Sequence, residues 1–178
     1  AHAFDPTLLP APRPTLNSGS SKTILSSKVN ISGNFQANGH GIPSQKNWSI
    51  RGRALVTDVP ITYLGYVNRD TGVIEEPGHP LDGTPIKDTI LIYPKGSGST
   101  VAPFVLMGLI YTGRGPMGII NSDVCPLTLP AASLLGTPYA HSFDLDPIMN
   151  INSGDLVQMQ LSDRKTTIKV ISRNGEER

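Results

Sequence analysis

Thr89-Ile90-Leu91-Ile92-Tyr93 is an unbroken apolar, β-branched run between Asp88 and Pro94, and it constrains the fold more than any other stretch of the chain. A strand with no polar alternation has no face to give to water, so it is expected to be covered on both sides. The chain leaves it through Lys95-Gly96-Ser97-Gly98-Ser99-Thr100 and then places Val101, Phe104, Val105 and Leu109 at spacings of three and four, the period of one helix face. Pro103 is tolerated only in a first turn, which puts the helix start at about Ser99 or Thr100, and Gly113 stands where a C-terminal cap falls.

Other elements surround this strand–turn–helix unit. Residues 51–56 and 61–65 read as strands joined by the turn Asp58-Val59-Pro60, because proline cannot donate to a ladder and is pushed to strand ends. A long Gly/Pro loop follows over residues 68–83, too polar to be core. Residues 117–121 and 138–143 read as strands, and 129–135 as a short helix closed by Gly136. Residues 156–161 and 167–171 alternate as a hairpin about Asp163-Arg164-Lys165. Strands and helices in this order predict an α/β sandwich or a partly closed β/α barrel. With 178 residues there is room for one such domain. The composition shift sets it at residues 49–178, preceded by a Pro-, Ser-, Asn- and Gly-rich arm over 1–48 that has few large apolar groups to offset ordering entropy. Within the arm Val29, Ile31, Gly33, Phe35 and Ala37 alternate as a strand or docked segment would.

Several function classes are excluded or disfavoured. Lys plus Arg number 15 against 14 Asp plus Glu, with no like-charge run, so there is no footprint for nucleic acid or another polyanion. Cys125 is the sole cysteine: it cannot form an internal disulfide, and one thiolate does not hold a zinc ion or an iron–sulfur cluster. No apolar stretch approaches the ~20 residues of a membrane span, and no basic segment followed by an apolar block opens the sequence, so the expected compartment is the cytoplasm. Charged residues are 16% of the chain, below the usual ~25%, which suggests that part of the surface is covered by something.

The glycine turn is the best candidate for chemistry. Gly96 and Gly98 let the backbone approach a ligand, and the following helix points its free N–H groups and positive dipole end back at the turn, an arrangement suited to carboxylate or phosphate. It is neither a Walker loop nor a dinucleotide fingerprint, since Gly-Lys-Ser/Thr is missing and Val101 replaces the third glycine. Nor is it a hydrolase elbow, because neither Ser97 nor Ser99 has glycine two residues away on both sides. The plain alternative is that Ser97 or Ser99 caps the helix. His79 or His141 with Ser99 and Asp144 could sketch a triad, but no spacing supports it and a loop or surface role is the commoner fate of a single histidine. Cys125 reads as a small buried group with no assigned role.

From Gly52 onward the chain resembles the small subunit, or swivel domain, of aconitase X. The resemblance is carried by Gly52-Arg53-Ala54-Leu55-Val56, Pro60-Ile61-Thr62-Tyr63-Leu64-Gly65, Asp70-Thr71-Gly72-Val73-Ile74, His79-Pro80-Leu81-Asp82-Gly83, Gly96-Ser97-Gly98-Ser99-Thr100-Val101 and Gly118-Ile119-Ile120-Asn121, over most of residues 50–172. It implies a heterodimer with a larger subunit that carries an iron or iron–sulfur centre, the pair acting as a hydro-lyase on a β-hydroxy carboxylic acid. It places the base on Ser99, with Thr100 in place of a second serine, and substrate contacts on Ser97, Gly98 and Thr100. The partner's metal would act on the departing hydroxyl. Two departures stand out: Ser97 occupies a position where family members often have Lys, and Val101 replaces the Arg of true aconitases, which argues against citrate or isopropylmalate. The expected substrate is cis-3-hydroxy-L-proline, giving Δ1-pyrroline-2-carboxylate, with 5-phosphomevalonate as the alternative. A rival of another class is a non-catalytic module that uses the turn to bind an anion.

Overall fold

The computed structural model describes residues 35–175; Val29, Ile31 and Gly33 of the alternating stretch, and the rest of the arm through residue 34, lie outside them. The strands are β1 (Gln36–Gly41), β2 (Trp48–Val56), β3 (Ile61–Thr62), β4 (Thr89–Ile92), β5 (Gly96–Ser97), β6 (Gly118–Asn121), β7 (Tyr139–His141), β8 (Leu156–Ser162) and β9 (Lys165–Ser172). The helical segments are α1 (Tyr63–Tyr66), α2 (Ala102–Tyr111), α3 (Leu129–Leu135) and α4 (Pro147–Asn150).

Seven strands close into a barrel in the order β1-β7-β6-β4-β2-β8-β9, with β1 pairing β7 on one side and β9 on the other. The α/β expectation stands, and closure is complete rather than partial. The centre of the sheet is parallel: β2, β4, β6 and β7 run side by side. Strand β4 shows why its sequence does not alternate. Ile90 and Ile92 enter the barrel with Ala54, Ile120, Val157, Met159 and Ile168. Leu91 and Tyr93 face outward into a second layer with Ala102, Val105, Leu106 and Leu109 of α2 and Ala131 and Ala132 of α3. Each fully buried large aliphatic contributes ~1.5–3 kcal/mol of burial free energy, so β4 anchors two cores at once.

The hairpin falls close to its expected place, closed by the two-residue turn Asp163-Arg164 with φ of 50° and 68°; two positive φ values match the right-handed twist of the flanking strands. Helix α3 ends on Gly136 in the left-handed region. Helix α2 ends with Gly113 N–H on the Ile110 carbonyl and Arg114 N–H on that of Leu109, the paired bonds of a glycine cap.

Four expectations need correction. Ordered structure begins before Ser49: β1 is a barrel strand and β2 starts at Trp48. The strand expected over 61–65 is two residues long, because Gly65 takes φ +90° and bends the chain away. The loop 68–83 contributes to the core through Ile74, His79 and Leu81. Helix α2 starts at Ala102, and Val101 and Phe104 are 44% and 71% exposed. Val105 and Leu109 of the expected stripe are buried, joined by Ala102 and Leu106, so the face packed on the sheet is rotated from the expected one; on a helix apolar nearly all round, periodicity cannot fix that rotation.

Candidate active site

The C-terminal ends of parallel β2, β4, β6 and β7 lie at one rim of the barrel. From β4 the chain runs through Pro94 and Lys95 into β5, which pairs with β3 in the register Ile61↔Gly96 and Thr62↔Ser97. Ile61 N–H also donates to the Lys95 carbonyl at 3.2 Å. Gly98 follows with φ +91°, and a Cβ there would meet Thr62 Cγ2 at 3.0 Å, so the turn requires glycine twice over, by conformation and by space.

All four site residues read from the sequence lie on this turn. Ser97 is half-buried, and Gly98, Ser99 and Thr100 are exposed. Ser99 Oγ accepts a hydrogen bond from the Val101 N–H at 3.3 Å, and the Ser99 carbonyl accepts from Ala102 N–H at 2.9 Å. Val101 is the N-cap of α2, with no side-chain cap bond. Ser99 thus bonds the lead-in to the helix and stays exposed. Among the described residues the hydroxyls of Ser97 and Thr100 have no hydrogen-bond partner.

Beneath the turn lies a buried polar network absent from the sequence reading. Tyr63 and Tyr93 hydroxyls are 2.6 Å apart, and Tyr93 Oη is 3.1 Å from Thr128 Oγ1. Asn121 Nδ2 donates to the Tyr93 carbonyl, Tyr139 O–H donates to Asn121 Oδ1, and Cys125 N–H donates to Tyr139 Oη, each at 3.1 Å. Gly96 N–H donates to Cys125 Sγ at 3.3 Å. Of the five tyrosines, Tyr63, Tyr93 and Tyr139 are these three, each at 0% exposure; a buried phenol needs a polar partner, which is the signal that could have found them.

Burial raises all three phenols above the usual tyrosine value, Tyr93 to about 12 despite bonds from Thr128, Tyr63 and Asn121 that pull it back. An unfolded tyrosine ionises near ~10, so the stability these phenols confer is present in full below that pH and lost as pH rises from there through about 12. Melting temperatures are expected to be flat with pH as far as these groups are concerned up to ~10 and to fall above it, with phenolate absorbance rising in the same step as unfolding.

The triad sketch fails. His79 Nδ1 accepts from Leu81 N–H inside its own loop. His141 Nδ1 lies 2.9 Å from Ser142 Oγ, which donates to Asp123, and burial together with nearby His40 lowers its pKa. Asp144 accepts from the backbone and side chain of Asn38. None of these bonds reaches Ser99. Among the described residues no group of three or more His, Cys, Asp or Glu side chains is placed to hold a metal ion.

The sequence signature of the aconitase X swivel domain matches residues 43–170. The chain belongs to the aconitase X swivel-domain family. Its relatives include the phosphomevalonate dehydratase small subunits of Methanocella arvoryzae, 38% identical over 106 residues covering 60% of this chain and 80% of that one, and of Methanosarcina acetivorans, 34% identical over 112 residues covering 63% and 78%. The fold is shared with Thermococcus kodakaraensis aconitase X in its holo-form, at a TM-score of 0.66 and 23% identity over 75% of this chain and 97% of that one. A UPF0107 protein solved by solution NMR superposes with a TM-score of 0.65 at 25% identity, covering 78% and 100%. In this swivel domain the glycine–serine turn lies within the matched region, as do the barrel from β2 to β8 and both covering helices.

Proposed function

We propose that this swivel domain is the small subunit of an aconitase X-type hydro-lyase and that Ser99 is its base. The observation that carries the proposal is that Ser99 is exposed in the turn with its Oγ already receiving the Val101 N–H. A serine hydroxyl is far too weakly acidic to rest as alkoxide in water, and an N–H aimed at the oxygen strengthens as charge develops there. The N-terminal end of α2 acts in the same sense. As alkoxide, Ser99 takes the proton from the carbon next to the substrate carboxylate. The electron pair of that C–H bond becomes the second bond of the alkene, the β carbon–oxygen bond breaks with its pair going to oxygen, and the departing hydroxide takes up a proton equivalent to the one Ser99 released and leaves as water. Ser97 and Thr100, with unpartnered hydroxyls, hold the carboxylate. Iron or an iron–sulfur centre in a large subunit would supply Lewis acidity toward the leaving hydroxyl. The described residues of this chain do not make such a site, and no step on this chain runs through it.

The substrate best supported is 5-phosphomevalonate, through the names of the relatives and through Lys95, an exposed cation in the same turn. Cis-3-hydroxy-L-proline is kept as a second reading because Ser97 puts a neutral hydroxyl in the turn and no basic side chain lies at the start of α2. Assay of the chain assembled with its large subunit on both compounds decides between them. Turnover of neither, with iron loaded, sinks the hydro-lyase reading.

The large subunit is placed over the rim and the outer face of α2. Val101, Phe104 and Tyr111 are 44%, 71% and 85% exposed along that face, and the Val101 N–H is bonded to Ser99 Oγ. Covering them would also exclude the water that quenches an alkoxide. Phe104→Asp is expected to weaken assembly at least ~10-fold, read by titration of one subunit into the other, with the far-ultraviolet spectrum unchanged. Unaltered assembly would move the interface elsewhere.

A further inference from the structure

We infer that Cys125 is a positioning residue for the serine turn, its thiol acting as the fixed acceptor that sets the plane of the peptide entering Gly96. The inference rests on the reading of Ser99 as base and adds how that base is aimed.

The backbone that carries the thiol is held on both sides. Cys125 N–H is bound by Tyr139 Oη at 3.1 Å, and the Cys125 carbonyl accepts from the Thr128 and Leu129 N–H groups at 3.1 and 2.8 Å, which seats the residue on the start of α3. Tyr139 belongs to β7 and passes its own proton to Asn121 at the end of β6. Sγ is therefore referenced to two barrel strands and a helix. From there it accepts the Gly96 N–H at 3.3 Å. Gly96 lies flat on the segment: a Cβ would meet Leu127 Cβ at 3.2 Å, Thr128 Oγ1 at 3.3 Å and Sγ at 3.7 Å.

Two rails thus hold the turn. One is β3, whose pairing ends at Ser97; the other is Cys125. Ser97 ends the pairing with β3, Gly98 follows at positive φ and Ser99 comes next, so the orientation of the Lys95–Gly96 peptide sets where the turn that carries Ser99 begins. Cys125 is 3% exposed and approaches no reacting atom, so it acts through the turn and not on substrate.

The test compares Cys125→Ser with Cys125→Ala in the chain assembled with its large subunit. Serine keeps an acceptor at nearly the same place; alanine removes it. If the bond positions the base, the alanine variant loses roughly tenfold in kcat with KM little changed, and serine restores most of it. A buried thiol that only packs gives the opposite order, since alanine is the better-tolerated residue in an apolar site, and equal rates for the two variants would overturn the inference. A second readout needs no turnover. In the full chain without its partner, hydrogen exchange of the Gly96 amide is expected to speed at least tenfold in Cys125→Ala and to stay near the parent rate in Cys125→Ser, while barrel amides such as Leu91 are unmoved. Unchanged Gly96 exchange in both variants removes the bond and the proposal with it. Ser99→Ala run alongside separates the failures: if it retains full rate the base assignment falls, whereas the Gly96 exchange result still decides the role of Cys125.

Discussion

Ser99→Ala, assembled with its large subunit, is expected to lose about 10²–10⁴-fold in kcat, the contribution of one positioned base. The fold is expected to survive the change. Ser99 is exposed, so its truncation leaves no cavity, and the one bond its side chain makes, to the Val101 N–H, is at the surface where water replaces it. Melting temperature and assembly should therefore match the parent while turnover collapses, and steady-state kinetics on loaded enzyme beside a thermal melt is the decisive pair of measurements. A non-catalytic module that merely holds an anion predicts a different pattern: ligand binding without any partner, and no turnover to lose. A Ser99→Ala enzyme that keeps its full rate defeats the assignment even if Ser97→Ala is impaired, because Ser97 is half-buried in β5 and its loss would disturb the turn.

How legible this site was follows from which forces are local. The turn Gly96–Thr100 could be read because its information is in adjacent residues: glycine for a positive φ at 98, hydroxyls beside it, an apolar strand before and a helical period after. Helix α3 and the closing hairpin were legible for the same reason, since Gly136 and the Asp163-Arg164 turn announce their ends. What stayed hidden depends on contacts across the chain. Tyr93, Asn121, Cys125 and Tyr139 come from three strand ends and a loop, and nothing in their spacing shows that their polar atoms meet under one turn. On α2 the period places Val105 and Leu109 correctly but not Val101 and Phe104, because the helix is apolar nearly all round and the sheet beneath decides which face is buried. Loop 68–83 was discounted on polarity, yet Ile74 and Leu81 are buried within it; a few apolar anchors fix a loop whose average composition says otherwise. Barrel closure through β1 was invisible for a related reason. Ala37, Gly39 and Gly41 turn inward on a strand poor in large side chains, so its place in the barrel is set by the ladders to β7 and β9 rather than by its own hydrophobicity.

The second large effect is on stability, at the end of the barrel hairpin. Asp155 is 1% exposed and its carboxylate accepts from Arg173 at 2.8 Å, from Asn152 N–H at 2.9 Å and from Asn174 N–H at 2.9 Å. Its own carbonyl accepts from Ala54 N–H, so the residue ties β2 to the hairpin. Arg173→Met removes the cation and leaves a buried charge with two neutral donors, a loss of about 3–5 kcal/mol by comparison with other broken buried pairs. For a chain of this size that is a fall of roughly 6–20 °C in melting temperature. The double variant Asp155→Leu, Arg173→Met should recover part of it, since no charge is then stranded, but not all, because Arg173 also donates to the Asn150 carbonyl and the amides of Asn152 and Asn174 lose their acceptor. Calorimetry on the parent, the single variants Arg173→Met and Asp155→Leu, and the double variant closes the cycle. If Arg173→Met alone costs no more than the double variant, the ion pair is not the pin that keeps β8 and β9 against β2; if it costs more, the stranded buried carboxylate is the reason.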